Sequence, residues 1–505
     1  MSFLSLCSNK VVSNSLLRYA DKRSVESGIS GYELVKNAAE IVVDTILEKF
    51  PARFRVSVLC GPGNNGGDGY FIAQLLRDKK FRVNVFAPDQ SSECSAHSLH
   101  AAQDYGGTIK PLSQFEPEKD TLVIDALFGS GIKRPIEDMY ADVIKKLNDG
   151  KKAGVISVDI PSGICAETGA IMGIAVQAAI TVCFERLRPG HVLFPGHAHC
   201  GAVTVKKIGI NDIFLEASDK GEQEIELNSQ NIYMQQIPKP NPYLHKYTRG
   251  YVNIVGGDLT SIGAARLCSR GAAKTGVGII RMGVPQHVLS VVAGFENAHV
   301  PYVLEDKSHF IKELEHPHLG CVVIGPGSGL NRRAEILLDV ILERASKDPD
   351  FRAVLDADII TLLAKRDKKD YQLTPNILLT PHEGEFKRLF PELAGHDKMT
   401  QACMAAKDIG ATVLLKGPDT LIATPDGRCV IQTRPLFNLA TAGSGDILCG
   451  IVAGLIARKM PVFEAACAAI ALHADAAEEA ALYSTADELA EYVKMPLLKY
   501  DFCGH

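Results

Sequence analysis

Three glycine-rich strings in the first half of the chain carry side chains that could do chemistry together. The first is Cys60-Gly-Pro-Gly-Asn-Asn-Gly-Gly-Asp-Gly69. Its glycines allow tight turning and close backbone approach, and a helix starting after it would point amide donors at an anion. The two asparagines and the aspartate inside the string depart from the GxGxxG dinucleotide fingerprint. They imply a site that reads hydroxyls, amides or a metal as well as phosphate. The other two strings are Asp125-Ala-Leu-Phe-Gly-Ser-Gly131 and Asp159-Ile-Pro-Ser-Gly163. Their hard oxygen ligands suit an alkali or alkaline-earth cation better than zinc. Either aspartate taken alone reads as a helix or turn cap; the combination makes a site.

In the second half the richest string is Thr441-Ala-Gly-Ser-Gly-Asp446, which runs into an apolar helix. Small residues at a helix N-terminus offer backbone amides to a phosphoryl group, and an aspartate there can take a hydroxyl proton as its oxygen attacks phosphorus. An aspartate placed only for the helix dipole would look the same. Further loops accompany it: Gly256-Gly-Asp258, Gly325-Pro-Gly-Ser-Gly329, Asp356-Ala-Asp358, Thr380-Pro-His-Glu-Gly-Glu385 and Lys416-Gly-Pro-Asp-Thr420. A lone histidine is usually packing or surface, but His382 directly follows an apolar strand in a Pro-His-Glu-Gly loop.

These loops need strands to hold them. Strands are expected at 55–60, 83–86, 121–125, 155–159, 180–184 and 203–208, with a helix over 69–79 after the first. A second alternating series is expected at 251–255, 277–282, 321–324, 354–356, 377–379 and 412–416. It ends in a hairpin at 425–428 and two Ala-rich helices at 446–459 and 464–481. Alternation of this kind predicts an α/β fold with parallel, doubly wound sheets, whose ligands bind beyond the strands' carboxyl ends. Between the two series, residues 217–241 are polar, and the run Pro238-Lys-Pro-Asn-Pro242 cannot supply regular backbone donors.

Composition agrees with two domains: 505 residues, 46% of them hydrophobic, exceed what one core usually holds. A net charge of −5 gives no reason to expect a nucleic-acid partner, and no apolar run reaches membrane-spanning length. The N-terminus lacks the pattern of a secretory signal. The 13 cysteines show no metal-type pairing and read as reduced, buried thiols of a cytoplasmic protein. A homo-oligomer is expected.

The three strings of the first half, in this order and spacing, resemble the NAD(P)H-hydrate epimerase family over roughly residues 1–215. The resemblance implies a Rossmann-like three-layer fold and a hydrate site formed by Asn64, Asn65, Gly66, Gly67 and Asp68. It adds Gly129, Ser130, Gly131, Ile132, Lys133, Arg134 and Pro135, together with Asp159. Potassium is implied at Asn65, Asp125 and Ser162, and Asp159 is the foremost candidate for proton transfer. Asn37 matches a family asparagine. Ala179 stands where the family carries an aspartate, a difference expected at the pocket floor.

The loops of the second half resemble the NAD(P)H-hydrate dehydratase family, a ribokinase-like branch, over roughly residues 236–505. The resemblance implies hydrate contacts from Ala264, Gly327, His382 and Asp446. It also implies nucleotide contacts from Lys416, Gly417, Pro418, Asp419, Thr420 and Gly445, with Mg²⁺ on the phosphates. Fusion to an upstream epimerase implies ADP as co-substrate, with ATP as the alternative. Residues 216–235 are expected to be the linker, and the implied substrates are NADHX and NADPHX. Two other readings compete: a small-molecule kinase of the vitamin-precursor type, and a first half that serves only as a binding module.

Overall fold

The computed structural model describes residues 4–5, 9–50, 55–89, 94–216, 225–239, 241, 243–294, 298–304 and 306–493. The chain divides into two compact units, with the boundary between Glu226 and Leu227.

The first unit contains β1 (Leu4–Ser5), β2 (Lys10–Val11), β3 (Arg55–Cys60), β4 (Arg82–Ala87), β5 (Ile109–Pro111), β6 (Thr121–Ala126), β7 (Gly154–Val158), β8 (Ile180–Phe184) and β9 (Ala202–Lys206). Eight of them form one sheet in the order β1-β9-β8-β7-β6-β3-β4-β5, with every neighbouring pair parallel. The short β2 instead pairs antiparallel with β10 (Ile225–Leu227). Alternate residues of each strand bury on opposite faces, as the pleat requires. Val56, Val58, Leu122 and Ile124 join one apolar cluster with the helix Gly31–Lys49, while Leu59, Val123 and Val155 join another under the helix Asp138–Asp149. The strand order reverses between β3 and β6, and such a reversal opens a crevice at the carboxyl ends.

The helix after β3 runs over Asn64–Asp78, five residues earlier than expected. The glycines are there for close approach more than for turning. A Cβ on Gly66 would lie 1.9 Å from Gly61 O, and one on Gly61 would lie 1.6 Å from Leu127 O. The edge strand β5 was not anticipated; it is three residues long and not fully buried, so it has little periodic signal.

The second unit contains β11 (Tyr251–Val255), β12 (Ile279–Val284), β13 (Val300–Val303), β14 (Cys321–Ile324), β15 (Ala353–Leu355), β16 (Ile377–Leu379), β17 (Thr412–Leu415), β18 (Asp419–Ala423) and β19 (Cys429–Thr433). Their order is β13-β12-β11-β14-β15-β16-β17-β18-β19, parallel as far as β17 and antiparallel thereafter. The reversal lies between β11 and β14. The helix Ser444–Ala457 is apolar nearly all round and crosses the helix Ile262–Lys274 closely. A Cβ on Gly450 would stand 1.9 Å from Cys268 O, so glycine sets that crossing distance.

Of the expected linker, residues 217–224 lie outside the described residues, as do Pro240 and Pro242 of the proline run. The part after Glu226 is not a bare connector. It carries the short helix Gln230–Tyr233, and Tyr233 and Ile237 are buried in the core of the second unit. These apolar anchors are spaced too sparsely within a polar sequence to show a core pattern.

Candidate active sites

In the first unit β7, β6 and β3 are neighbours, so their following loops meet. Asp125, the fifth residue of β6, is fully buried. Its Oδ2 accepts hydrogen bonds from Ser157 Oγ (2.8 Å) and Ser162 N (2.9 Å), and its Oδ1 accepts from Ser162 Oγ (2.5 Å). Burial pushes its carboxyl above the usual range, while the serine donors pull the other way. Ser162 Oγ also accepts from Phe128 N (2.8 Å) and stands 3.1 Å from Phe128 O. Asn65 is buried beside them and has a buried amide nitrogen with no hydrogen-bond partner. The buried carboxylate, the hydroxyl and the carbonyl are oxygen groups of the kind a weakly hydrated monovalent cation takes, whereas the unpartnered Asn65 amide N–H is a donor that calls for an acceptor.

Asp159 sits at the end of β7 with a left-handed φ of 72°, a conformation that costs a non-glycine residue energy. The second-unit strand-end residue Ala357 is similar, at 49°. Arg188, itself buried, forms an ion pair with Asp159 Oδ1, and His191 Nε2 donates to Asp159 O (2.8 Å). His191 accepts from Arg188 N at Nδ1 (3.1 Å), and burial lowers its pKa to about 4, so it is a neutral brace. The other carboxylate oxygen, Oδ2, points toward Gly129 and Asn65: a Cβ on Gly129 would be 3.5 Å from Asp159 Oδ2 and 3.4 Å from the Asn65 side chain. Asp68, in the first helical turns, has no side-chain hydrogen bond among the described residues. Its carboxyl is pushed well above the usual range by burial, then by the charges of Asp159 and Asp21.

The other expected first-unit residues are placed as follows. Gly66 and Gly67 are buried against Gly61 and His97, and Asn64 is exposed at the helix start. Asn14 Nδ2 donates to Ser130 O (2.9 Å), which ties the loop 129–135 to the N-terminal helix Asn14–Glu26. Along that loop Gly131, Lys133, Arg134 and Pro135 are exposed, and Ile132 is half-buried. Asn37 donates to Ile208 O (2.7 Å), a structural tie. Ala179 corrects an expectation. It is exposed just before β8, at the amino end of the sheet, whereas the three loops lie at the carboxyl ends. Its difference from the family therefore leaves the pocket untouched.

The second unit brings its five loops together along β11, β14, β15, β16 and β17. Gly257 N donates to Pro326 O and Asp258 N to Gly327 O, both at 3.0 Å. Ser261 Oγ donates to Gly327 O (2.8 Å), which ties the Gly327 loop to the start of the helix Ile262–Lys274, whose first turn carries Ala264. Gly329 N donates to Asp358 Oδ2 (2.8 Å). Thr380 Oγ1 donates to Asp356 Oδ1 (2.8 Å), and Lys416 Nζ bonds the same oxygen (2.9 Å). Lys416 N donates to Pro381 O (2.8 Å).

Asp446 lies in the first turn of the helix Ser444–Ala457. Gly443 turns the chain into that helix with a φ of 90°. Ser444 N is committed to Thr441 O (3.3 Å), but the amides of Gly445 and Asp446 have no hydrogen bond among the described residues. They are orphan donors of a helix start, suited to an anion. The Asp446 carboxyl is pushed up to about 7 by burial, then by the charge of Asp356; Lys416 opposes this, and Asp358 adds to it.

Two expected residues have other duties as well. His382 caps the helix Glu383–Leu389, with Nδ1 accepting from Gly384 N (2.9 Å) and Glu385 N (3.2 Å), and its Nε2 stands 3.4 Å from Glu385 Oε1. Asp419 is buried and ion-paired with Lys398, leaving Gly417, Pro418 and Thr420 as the accessible part of that loop. Sequence reading missed Arg188 and His191, and it named the Thr380 and Asp356 loops without the roles of those two residues. The string Arg188-Pro-Gly-His191 after β8 is itself a strand-end loop of charged and glycine residues, and could have been found by the same rule.

Among the described residues eleven cysteines are free, and nine of these are buried. Among the described residues no helix is long and apolar enough to cross a membrane.

Two family models match the chain: YjeF-related protein N-terminus over residues 31–190 and NAD(P)H-hydrate dehydratase over residues 252–495. The bifunctional NAD(P)H-hydrate repair enzyme Nnr of Coxiella burnetii is 31% identical over 93% of this chain and 94% of its own length. The protein of the same name from Thermofilum pendens is 31% identical over 97% and 95%, and that from Escherichia coli 30% over 92% and 88%. Among solved structures, the ADP/ATP-dependent NAD(P)H-hydrate dehydratase from Bacillus subtilis is 25% identical and covers 55% of this chain and 98% of its own, with a TM-score of 0.47. By near-full-length identity and by a matching model in each half, the chain belongs to the family of bifunctional NAD(P)H-hydrate repair enzymes.

Proposed function

We propose that the first unit interconverts the R and S forms of NADHX and NADPHX, and that the second dehydrates the S form with ADP, giving NAD(P)H, AMP and phosphate. The observation that carries the reading is Asp446: a carboxyl with a pKa near 7, at a helix start with free amides, ringed by five strand-end loops. A base poised near neutral pH accepts a hydroxyl proton efficiently. The hydrate carries its hydroxyl on the carbon next to the ring nitrogen. Asp446 takes that proton as the oxygen attacks the terminal phosphorus of the nucleotide, and the amides of Gly445 and Asp446 receive the developing charge. Phosphate then leaves with the push of the ring nitrogen lone pair, and the neighbouring ring carbon gives up a proton, so that the carbon–carbon double bond of the dihydropyridine is restored. Ala264, Gly327 and His382 border the hydrate. Lys416, Gly417, Pro418, Thr420 and Gly445 border the nucleotide, and Asp419 serves that loop through its ion pair with Lys398. Mg²⁺, when bound with the nucleotide, would supply charge neutralisation.

In the first unit Asp159 and Asp68 face the hydrate, one ion-paired and the other pushed toward its protonated form. Together they provide acid–base partners for epimerisation. Asn65, Asp125 and Ser162 would hold potassium, which fixes the loops that orient the substrate. We assign residues 1–215 and 236–505 to the two activities, and a cytoplasmic homo-oligomer to the whole. The test is direct: separated S- and R-hydrates are mixed with the protein and ADP or ATP, and the return of NADH absorbance is followed. The reading fails if neither nucleotide supports recovery from the S form, or if the R form is never consumed.

A further inference from the structure

We infer that Asp356 is a positioning residue for dehydration, acting on Asp446 through its own charge and through Lys416, whose ammonium it holds beside Gly445. The inference rests on the reading of Asp446 as the base. Asp356 is buried at the end of β15, with 2% of its surface exposed, and no hydrate or nucleotide contact is assigned to it. Its Oδ1 is shared by Thr380 Oγ1 at 2.8 Å and Lys416 Nζ at 2.9 Å. A Cβ on Gly445 would stand 3.5 Å from Lys416 Nζ, so the ammonium reaches the first turn of the Asp446 helix.

The arrangement acts on the base in two opposed ways. Asp356 is a like charge that disfavours the Asp446 carboxylate, and Lys416 is an opposite charge that favours it. The remaining titratable groups facing this cluster among the described residues are Asp358 from the same loop, Glu385 from the helix after β16, and the Cys449 thiol, pushed well above the usual thiol range, one turn along the Asp446 helix. Asp356 thus binds Lys416 and opposes Asp446 at once. Burial is the larger cause that lifts the base out of the ordinary carboxylate range, and the Asp356 charge adds to it.

The test is the pH dependence of kcat/KM for the S-hydrate with ADP and Mg²⁺, using the full-length protein. Asp356→Asn removes the like charge and leaves the Lys416 ammonium with Asp446 as its remaining carboxylate partner at the helix start, so the acid-limb midpoint falls by roughly one pH unit. At pH 6 the variant then keeps about five-fold more of its own high-pH value than the wild type does. Lys416→Met removes the opposite charge and moves the midpoint the other way, by about the same factor at pH 7. Ionisation of the nucleotide is common to all forms and cancels in the comparison. A purely structural role would lower rates without displacing the midpoints in opposite directions. If Asp356→Asn does not fold, the upward shift in Lys416→Met carries the test alone. Unmoved midpoints, or two shifts of the same sign, overturn the inference while an inactive Asp446→Asn leaves the base reading standing. An Asp446→Asn variant that dehydrates normally overturns both.

Discussion

Asp446 should cost the protein stability in proportion to its use. Its carboxyl moves from an ordinary 3.8 to about 7 in the fold. Each factor of ten in the ionisation constant is worth about 1.4 kcal/mol, so the ceiling is about 4 kcal/mol. Partial exposure screens this, and about 2 kcal/mol is a reasonable realised figure. The sign follows from linkage. With the folded pKa raised, the native state binds the proton more tightly than the unfolded chain. Relative stability is fully present below pH 3.8 and is lost as pH rises through 7. Asp446→Asn cannot ionise and escapes the loss. In the ligand-free full-length protein, the transition of the second unit, identified by its upward shift with nucleotide, should therefore lie about 4 °C higher in the variant at pH 8. The gap should shrink to about 1 °C by pH 4. Dehydration should meanwhile fall by about 10²–10⁴-fold, with epimerisation unchanged. A variant that melts no higher than the wild type at pH 8, or a gap independent of pH, refutes the reasoning about burial and charge at this helix start.

Three further outcomes follow from the same geometry. Epimerisation should depend on potassium, zinc should not replace it, and Asn65→Ala or Asp125→Ala should weaken that dependence; full activity of both variants in potassium-free buffer disposes of the cation site. Gly66→Ala should abolish epimerisation and spare dehydration, because its Cβ would sit 1.9 Å from Gly61 O; an active variant would show that the loop has room to yield. Severing the chain between residues 216 and 225 should leave one fragment that epimerises without nucleotide and another that stalls at half of a racemic mixture, with mixing restoring full conversion; a second fragment that consumes both forms alone would misplace the division of labour.

The strand-end loops were legible in the sequence because each combines glycine with a polar residue immediately after an apolar run. That pattern is local, and β3, β6, β11, β14 and β17 all carry it. What the sequence withheld is non-local. Nothing in Asp356-Ala-Asp358 says that Lys416, sixty residues on, shares an oxygen with Thr380. Nothing in Asp159 announces the Arg188 ion pair. The start of the helix at Asn64 was misread because glycine usually signals a turn, and here it signals contact: the chain stays helical and the glycines let it press on Gly61. Tyr233 and Ile237 hid in the same way, as isolated apolar anchors within a polar stretch.

The two units solve one electrostatic problem with different parts. Each places carboxyls close together at the carboxyl ends of a parallel sheet, where mutual repulsion and burial force their proton affinities apart. In the second unit Lys416 sides with Asp356, and Asp446 is left to carry the raised affinity. In the first unit Arg188 sides with Asp159, and the raised affinity falls on Asp68. In each case the cation pairs with one carboxyl, and the raised affinity is on the other. Arginine suits the first unit because its charge cannot be withdrawn by burial, whereas lysine in the second can yield its contact when a nucleotide phosphate arrives. This asymmetry is the reason to expect opposite responses to charge removal. Arg188→Met should leave the Asp159 carboxylate without its counter-ion and collapse epimerisation at every pH, because removing one partner of a buried ion pair strands the other charge. Lys416→Met should only displace the pH profile of dehydration and weaken nucleotide binding. Equal displacement of the epimerase profile by Arg188→Met, with its plateau kept, would show that the arginine tunes the carboxyls rather than makes their proximity possible.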